Sequence, residues 1–118
     1  MKKNMEKINA QKNINAEAIR HYQLAYAEYN ALPYDYKPAR LRSCSATVYE
    51  TPNYYILRSY NTVVACIDKS TGACYDVLRH VFGFTSTSCQ HINKFISDYS
   101  GARWRSEATV YTFSAVEG

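Results

Sequence analysis

The sequence predicts a single α+β domain in which two helices pack on an antiparallel sheet of three to five strands. Its 118 residues, 47% hydrophobic and 20% charged, suit one packed body. Two segments carry apolar residues at helical spacing. Between these segments lie runs rich in β-branched and aromatic residues, separated by turn signals. We expect residues 1–13 to form a flexible basic tail and residues 14–118 to form the domain.

The first helix is predicted directly after the lysine-rich tail. Its apolar residues recur at spacings of three and four, namely Ile14, Ala18, Tyr22, Ala25, Tyr26 and Tyr29. Asn15 is a suitable N-cap, and Glu17 would lie in the positively polarised first turn. The two prolines of LPYDYKPAR end this helix and favour an extended loop.

The middle of the chain reads as strands: CSATVYE, YYILRSY, TVVACID and ACYDVL. YYILRSY and TVVACID form either a tight hairpin or one long, bulged strand, since little more than Asn61 separates them. The turn signal DKSTG follows. If this turn is centred near Ser70, Cys66 and Cys74 face each other across the ladder, as free thiols or as a reducible disulfide.

A second helix is predicted over TSTSCQHINKFISDYSG. Its core-facing stripe is Ile92, Phe95, Ile96 and Tyr99. Thr87 and Gln90 fit a capping box, with Thr85 and Ser86 as alternative caps. Gly101 lies just past the end, where a left-handed residue is favoured. EATVYTF supplies a final alternating strand.

The charge is distributed unevenly along the chain. Residues 1–43 hold eight basic and four acidic residues, and residues 44–118 hold six of each, so the first third carries the whole excess of +4. This excess favours either a polyanionic partner or a solvated basic segment. It argues against an acidic mimic of DNA. No apolar run is long enough to cross a membrane, and the basic start is not followed by an apolar stretch, so we expect a cytoplasmic protein.

Cysteine and histidine are the residues of this chain best suited to nucleophilic catalysis or metal binding. Cys89 and His91 lie two apart, so on a helix their side chains point about 200° apart and cannot form a nucleophile–base pair. The four cysteines are scattered instead of lying in the close pairs of structural zinc sites. We expect no cofactor, no metal and no enzymatic activity, and we expect His91 to be a structural histidine bonded to a strand carbonyl.

Two segments interleave aromatic and basic residues and are the candidate binding residues for protein or nucleic acid. They comprise Tyr34, Tyr36, Lys37, Arg40 and Arg42 in the first segment, and Arg103, Trp104 and Arg105 in the second. Aromatic faces stack on unpaired bases and cations follow a phosphate backbone. The alternative is that the aromatic rings pack on the sheet while the arginines face water.

Residues 55–96 contain a longer sequence pattern, which is similar to that of a known family. It consists of Ser59, Tyr60, Thr62, Val64, Ala65, Tyr75, Thr85, Thr87, His91, Ile92 and Phe95. With these residues the chain resembles a family of small, functionally uncharacterised domains from Firmicutes and their phages and plasmids. The resemblance implies a mobile-element context, in which small proteins often bind and block host machinery, including CRISPR effectors.

The residues and the resemblance together favour a non-enzymatic binding protein that blocks a surface of a host protein or nucleoprotein complex. The most specific version of this hypothesis is an anti-CRISPR-like inhibitor. The alternatives are an accessory protein that binds single-stranded DNA or RNA and a small Cys/His-dependent enzyme. A free sheet edge or exposed tyrosines would also allow a homodimer.

Overall fold

The computed structural model describes residues 2–83 and 85–115, with side chains from residue 5 onward. These residues form a six-stranded sheet whose spatial order follows the chain: β1 (Ala39–Arg40), β2 (Ala46–Glu50), β3 (Tyr54–Ser59), β4 (Thr62–Asp68), β5 (Cys74–Asp76) and β6 (Val110–Thr112). The helices are α1 (Lys2–Asn30), α2 (Leu78–Val81) and α3 (Ser86–Tyr99), followed by a 3₁₀ turn (Arg105–Glu107).

The sheet lies between α1 and α3, because alternate residues of its strands point to opposite faces. On β3, Ile56 belongs to the buried cluster that contains Ala18 and Ala25 of α1. Its neighbour Leu57 belongs to the separate cluster that contains Phe95 of α3. A central sheet covered on both faces explains why these strands read as almost continuous apolar runs.

Helix α1 begins at Lys2, so the prediction of a helix starting near Asn15 was wrong, and residues 2–13 are helical. Asn15 is not an N-cap but a buried contact. Its Nδ2 donates to the Ser114 carbonyl at 2.7 Å, and its Oδ1 accepts from the Ser114 N–H at 3.0 Å. Gln11 adds a bond from its Nε2 to the Thr112 carbonyl at 3.0 Å. The polar half of α1 is therefore held against the segment around β6.

Strands β3 and β4 form a tight hairpin that also contains a bulge. Tyr60 and Asn61 make the turn, with Tyr60 at a φ of +54°. The register shifts between Leu57, which pairs with Ala65, and Arg58, which pairs with Val63. Val64 is the extra residue, and it packs in the α3-side cluster together with Ala65. The tight hairpin is therefore confirmed, and the alternative of one long, bulged strand is wrong.

Cys66 and Cys74 do not face each other, which corrects the sequence-based prediction. Cys66 pairs with Tyr75, and Cys74 pairs with Ile67. The one-residue difference places the two thiols in the clusters on opposite faces of the sheet. Burial raises the pKa of Cys66, and it raises the pKa of Cys74 to about 11, so both thiols stay protonated. All four cysteines are free.

The last strand makes the sheet mixed instead of purely antiparallel. Strand β6 pairs with β5 in the parallel direction, with Tyr75 opposite Tyr111. The connection between them carries α2 and α3, which is the long crossover that parallel strands require. None of the described helices is long and apolar enough to cross a membrane.

Helix α3 has the predicted core stripe but a different cap. Thr85 is the N-cap, because its Oγ1 accepts from the Ser88 N–H at 3.2 Å. The predicted capping box of Thr87 and Gln90 is therefore wrong, and the alternative prediction of Thr85 as the cap is confirmed. The stripe itself is confirmed, with Phe95 and its neighbours Ile92 and Ile96 fully buried and Tyr99 partly buried.

Replacing Phe95 with alanine should remove the largest fully buried side chain of the α3-side cluster. We expect the free energy of unfolding in urea to fall by roughly 3–5 kcal/mol, the usual cost of an aromatic-to-alanine cavity. Leu24→Ala is the control, because Leu24 lies on a helix and is 48% exposed. Equal losses in the two variants would contradict the assignment of Phe95 to the core.

Candidate functional site

The candidate binding residues of the two predicted segments partly converge on one groove. Arg42 from the first segment and Trp104 and Arg105 from the second line a groove of about 350 Å³ beside α3. Asn93, Lys94, Ser97 and Ser106 complete its wall. We call this surface the Trp104 groove. Trp104 is 61% exposed in it, so the alternative that this ring packs on the sheet is wrong.

Arg105 has a structural role in the groove. Its Nη2 donates to Oδ2 of Asp76 at 2.7 Å and to Oγ1 of Thr112 at 2.9 Å, while Nη1 donates to Oδ1 of Asn93 at 3.0 Å. These bonds tie the 3₁₀ turn to β5, β6 and α3. The guanidinium is therefore committed to protein partners.

Arg42 is also paired, although at the surface. Its Nε and Nη2 donate to the two carboxylate oxygens of Asp98 at 2.9 and 2.7 Å, a bidentate contact between the β1–β2 connection and the end of α3. The Arg42 guanidinium lowers the pKa of the Asp98 carboxyl. Arg42 has a φ of +53°, a left-handed backbone conformation that is uncommon for a residue other than glycine.

Two cations near Trp104 have no carboxylate partner among the described residues. Lys94 Nζ instead donates to the Cys44 sulfur at 3.2 Å. The Arg103 side chain is exposed and makes no hydrogen bond or ion pair within residues 5–83 and 85–115. The Trp104 groove therefore offers an exposed indole next to positive charge that the described part of the chain does not neutralise.

Tyr34 and Tyr36 lie on a second surface, about 280 Å³ in volume, together with Tyr29, Pro33 and Tyr49. Tyr36 stacks on Tyr49, with ring centroids 5.8 Å apart, and its Oη accepts from the Glu50 N–H at 2.8 Å. Tyr36 therefore packs on the sheet edge, as the alternative hypothesis predicted for these aromatic rings.

Tyr34 is fully exposed at this surface, so for that ring the alternative reading is wrong. Lys37 and Arg40 are both exposed, and neither lines the Trp104 groove. Arg40 Nε donates to the Cys44 carbonyl at 3.1 Å. The eight candidate residues thus do not form one continuous site.

Ser59 and His91, two residues of the pattern in residues 55–96, meet with Ser88 in a buried cluster between β3 and α3. Ser59 Oγ lies 2.8 Å from His91 Nδ1 and 3.0 Å from Ser88 Oγ, and all three residues are at most 4% exposed. The ring of Tyr60 lies 5.5 Å from that of His91. A cavity of only about 40 Å³ adjoins them, and Thr62 also lines it.

His91 is therefore bonded to a strand residue, but to a hydroxyl instead of the expected carbonyl. Burial and the nearby charge of Lys94 both lower its pKa, which favours the neutral ring. A serine beside a histidine can act as a nucleophile and base, but here both side chains are enclosed. No hydrogen bond joins Cys89 to His91 in the described part of the chain. The hydrogen bonds of the cluster join α3 to β3.

A second buried histidine cluster lies on the α1 side and was not predicted. His21 stacks on Tyr75 with centroids 4.1 Å apart, and its Nδ1 lies 2.8 Å from Tyr54 Oη. Burial lowers the pKa of His21 and raises that of Tyr54 to about 12. The sequence carried a signal, because His21 lies at helical spacing from Ala18 and Ala25 and so on the buried stripe.

Groups of three or more side chains suited to holding a metal ion are not found among residues 5–83 and 85–115. Comparisons of the chain with protein-family models, with curated proteins and with solved structures found no match.

The two buried histidines should make stability depend on pH. Because burial lowers the pKa of His21 and His91 below 6.5, the unfolded chain binds more protons than the folded one below that value. The contribution of these two histidines to the free energy of unfolding is fully present above pH 6.5. It decreases as the pH falls toward the pKa that each histidine has in the folded protein. We expect urea unfolding to give a lower free energy at about pH 5.5 than at about pH 7.5.

His91→Asn is the matched variant for this prediction, because an amide can still bond to Ser59 but does not titrate. The variant should lose part of the pH dependence, and the remainder should come from His21. An unchanged pH dependence in His91→Asn would show that His91 titrates equally in the folded and unfolded states.

Proposed function

We propose that this protein is a non-enzymatic binding protein that covers a surface of a host protein or nucleoprotein complex, with the Trp104 groove as its contact surface. The observation that carries the proposal is the 61% exposure of Trp104 in a groove that Lys94 also lines, with the exposed Arg103 next to Trp104 in the sequence. Tryptophan and arginine are enriched among the residues that dominate binding energy at interfaces.

The geometry of the groove supports recognition of a macromolecule. Arg105 and the Arg42–Asp98 pair fix both walls to the sheet and to α3, so the surface is ordered before it binds. Pre-ordered side chains lose less conformational entropy on association. A groove of about 350 Å³ with an exposed indole suits a protruding side chain or an unpaired base of a partner.

The most specific version of this proposal is an inhibitor that acts on a defence complex such as a CRISPR effector. It is supported by the resemblance of residues 55–96 to small domains of phages and plasmids. The net charge of +4 favours docking on protein or on guide RNA.

Trp104→Ala should abolish capture of the partner from a lysate of a CRISPR-bearing Firmicutes host, identified by mass spectrometry, and should relieve inhibition in a target-cleavage assay. Phe82→Ala is the matched control, because Phe82 is 62% exposed and does not line the Trp104 groove. The physical reason is that burying an indole contributes at least about 2 kcal/mol at an interface hot spot.

Two outcomes would count against this proposal. Capture that is unaffected by Trp104→Ala but lost in Phe82→Ala would place the contact elsewhere. Unchanged cleavage by several effectors, with a partner still captured, would remove the inhibitor form and leave the binding proposal.

Direct binding of single-stranded DNA or RNA is the second candidate, and the cations without carboxylate partners favour it. Lys94 and Arg103 could each neutralise a phosphate, and Trp104 could stack on a base. Since Trp104 is the one tryptophan in the sequence, its fluorescence reports on the groove without a label.

Titration with a mixed-sequence oligonucleotide of about 12 nucleotides should quench the Trp104 fluorescence, with an affinity that falls steeply as salt rises. Arg103→Ala should weaken binding for all sequences and reduce the salt slope by about one, because one phosphate contact is lost. Lys37→Ala should change neither quantity if the Trp104 groove is the site. Absence of quenching at low salt would reject this candidate.

A further inference from the structure

Cys44 and Lys94 form a pair of nucleophilic side chains at the edge of the Trp104 groove. Lys94 Nζ lies 3.2 Å from Cys44 Sγ and donates a hydrogen bond to it. Lys94 belongs to α3, and Cys44 belongs to the connection between β1 and β2, so the contact joins residues that are 50 positions apart. A lysine nitrogen directed at a thiol is close enough for a bond between the two atoms after a small movement.

The other side chains around this pair leave both atoms available. Lys94 has no carboxylate partner among the described residues, and its long side chain can move closer to the sulfur. Cys44 is half-buried, and it lines a surface depression of about 220 Å³ with Arg40 and Thr47, which gives a small oxidant access to the sulfur. Cys66 and Cys74, in contrast, are buried.

We propose that Cys44 and Lys94 form a redox-controlled covalent crosslink, a sulfenamide bond between Sγ and Nζ, when the protein meets hydrogen peroxide. In the first step the thiol attacks peroxide, the O–O bond breaks, and sulfenic acid and one water form while sulfur loses two electrons. In the second step Lys94, after giving one proton to water, attacks that sulfur as a neutral amine. The S–N bond forms, the S–O bond breaks, and the hydroxyl leaves as a second water.

The crosslink has two consequences for the groove. It removes the positive charge of Lys94, because a sulfenamide nitrogen is not protonated near neutral pH. It also ties the β1–β2 connection to α3 next to the Arg42–Asp98 pair. The crosslink does not depend on the binding function proposed above, since it is measured on the protein alone.

The test is intact-protein and peptide mass spectrometry after treatment of the full chain with a small excess of hydrogen peroxide. The protein should become about 2 Da lighter, through loss of two hydrogens, and digestion should give one joined peptide pair containing Cys44 and Lys94. Dithiothreitol should restore the original mass, because a thiol attacks the sulfenyl sulfur.

Lys94→Arg is the decisive variant, because arginine keeps the charge but its guanidinium stays protonated and is a poor nucleophile. In this variant Cys44 should gain oxygen instead of losing hydrogen. Cys89→Ser is the matched control, since Cys89 is the other half-buried thiol, and it should still form the joined pair. Thermal unfolding of each variant checks that it folds.

Three results would overturn the proposal. The first is a wild-type protein that only gains oxygen at Cys44. The second is a loss of two hydrogens that persists in Lys94→Arg or maps to two cysteines, which indicates a disulfide. The third is a joined pair about 14 Da heavier than the reduced protein, which indicates an S–O–N bridge instead of an S–N bond.

Discussion

The carboxylate of Asp76 joins β5 to the start of α2, two residues further along the chain, and to the 3₁₀ turn, 29 residues further along. It is 5% exposed as a residue, and its two oxygens accept from Arg105 at 2.7 Å and from the Leu78 N–H at 3.1 Å. The first contact fixes the 3₁₀ turn and the approach to β6, and the second fixes the start of α2. A buried carboxylate is tolerated only when such partners satisfy it, and loss of one partner typically costs about 3–5 kcal/mol. The Trp104 groove depends on the contact between Asp76 and Arg105, because Arg105 forms part of the wall of the groove.

The sequence was sufficient for those elements that carry a strong local signal. The stripe of Phe95 was predicted from its helical apolar spacing, and the strands on either side of Tyr60 were predicted from their β-branched and aromatic residues. The early start of α1 was missed because its polar first half packs little apolar surface, and its contacts to Thr112 and Ser114 lie about a hundred residues away. The parallel direction of β6 was missed for the same reason, since strand pairing across a crossover leaves no local signal.

The candidate site was predicted in part. Aromatic and basic residues placed Trp104 and Arg42 in the binding set, and the fold brings them to one groove. The sequence does not show which cationic side chains already form ion pairs within the protein. Asp98 engages Arg42, and Asp76 engages Arg105, whereas the Arg103 guanidinium has no hydrogen bond or ion pair within the described residues. This distinction depends on distances between residues remote in sequence, and it decides which charges a partner can contact.

The contacts of Asn15 with Ser114 also bear on how the chain folds. They join positions separated by 99 residues, and in the same region Gln11 bonds to Thr112. Closure of so long a loop carries a large entropic cost, which non-local contacts repay only after most of the sheet exists. During synthesis, α1 emerges from the ribosome well before the strand that it covers. Until β3, β4 and β5 have also been made, the apolar side of α1, with Ala18 and Ala25, has no sheet to pack on. During that interval a chaperone or a neighbouring nascent chain can bind it first.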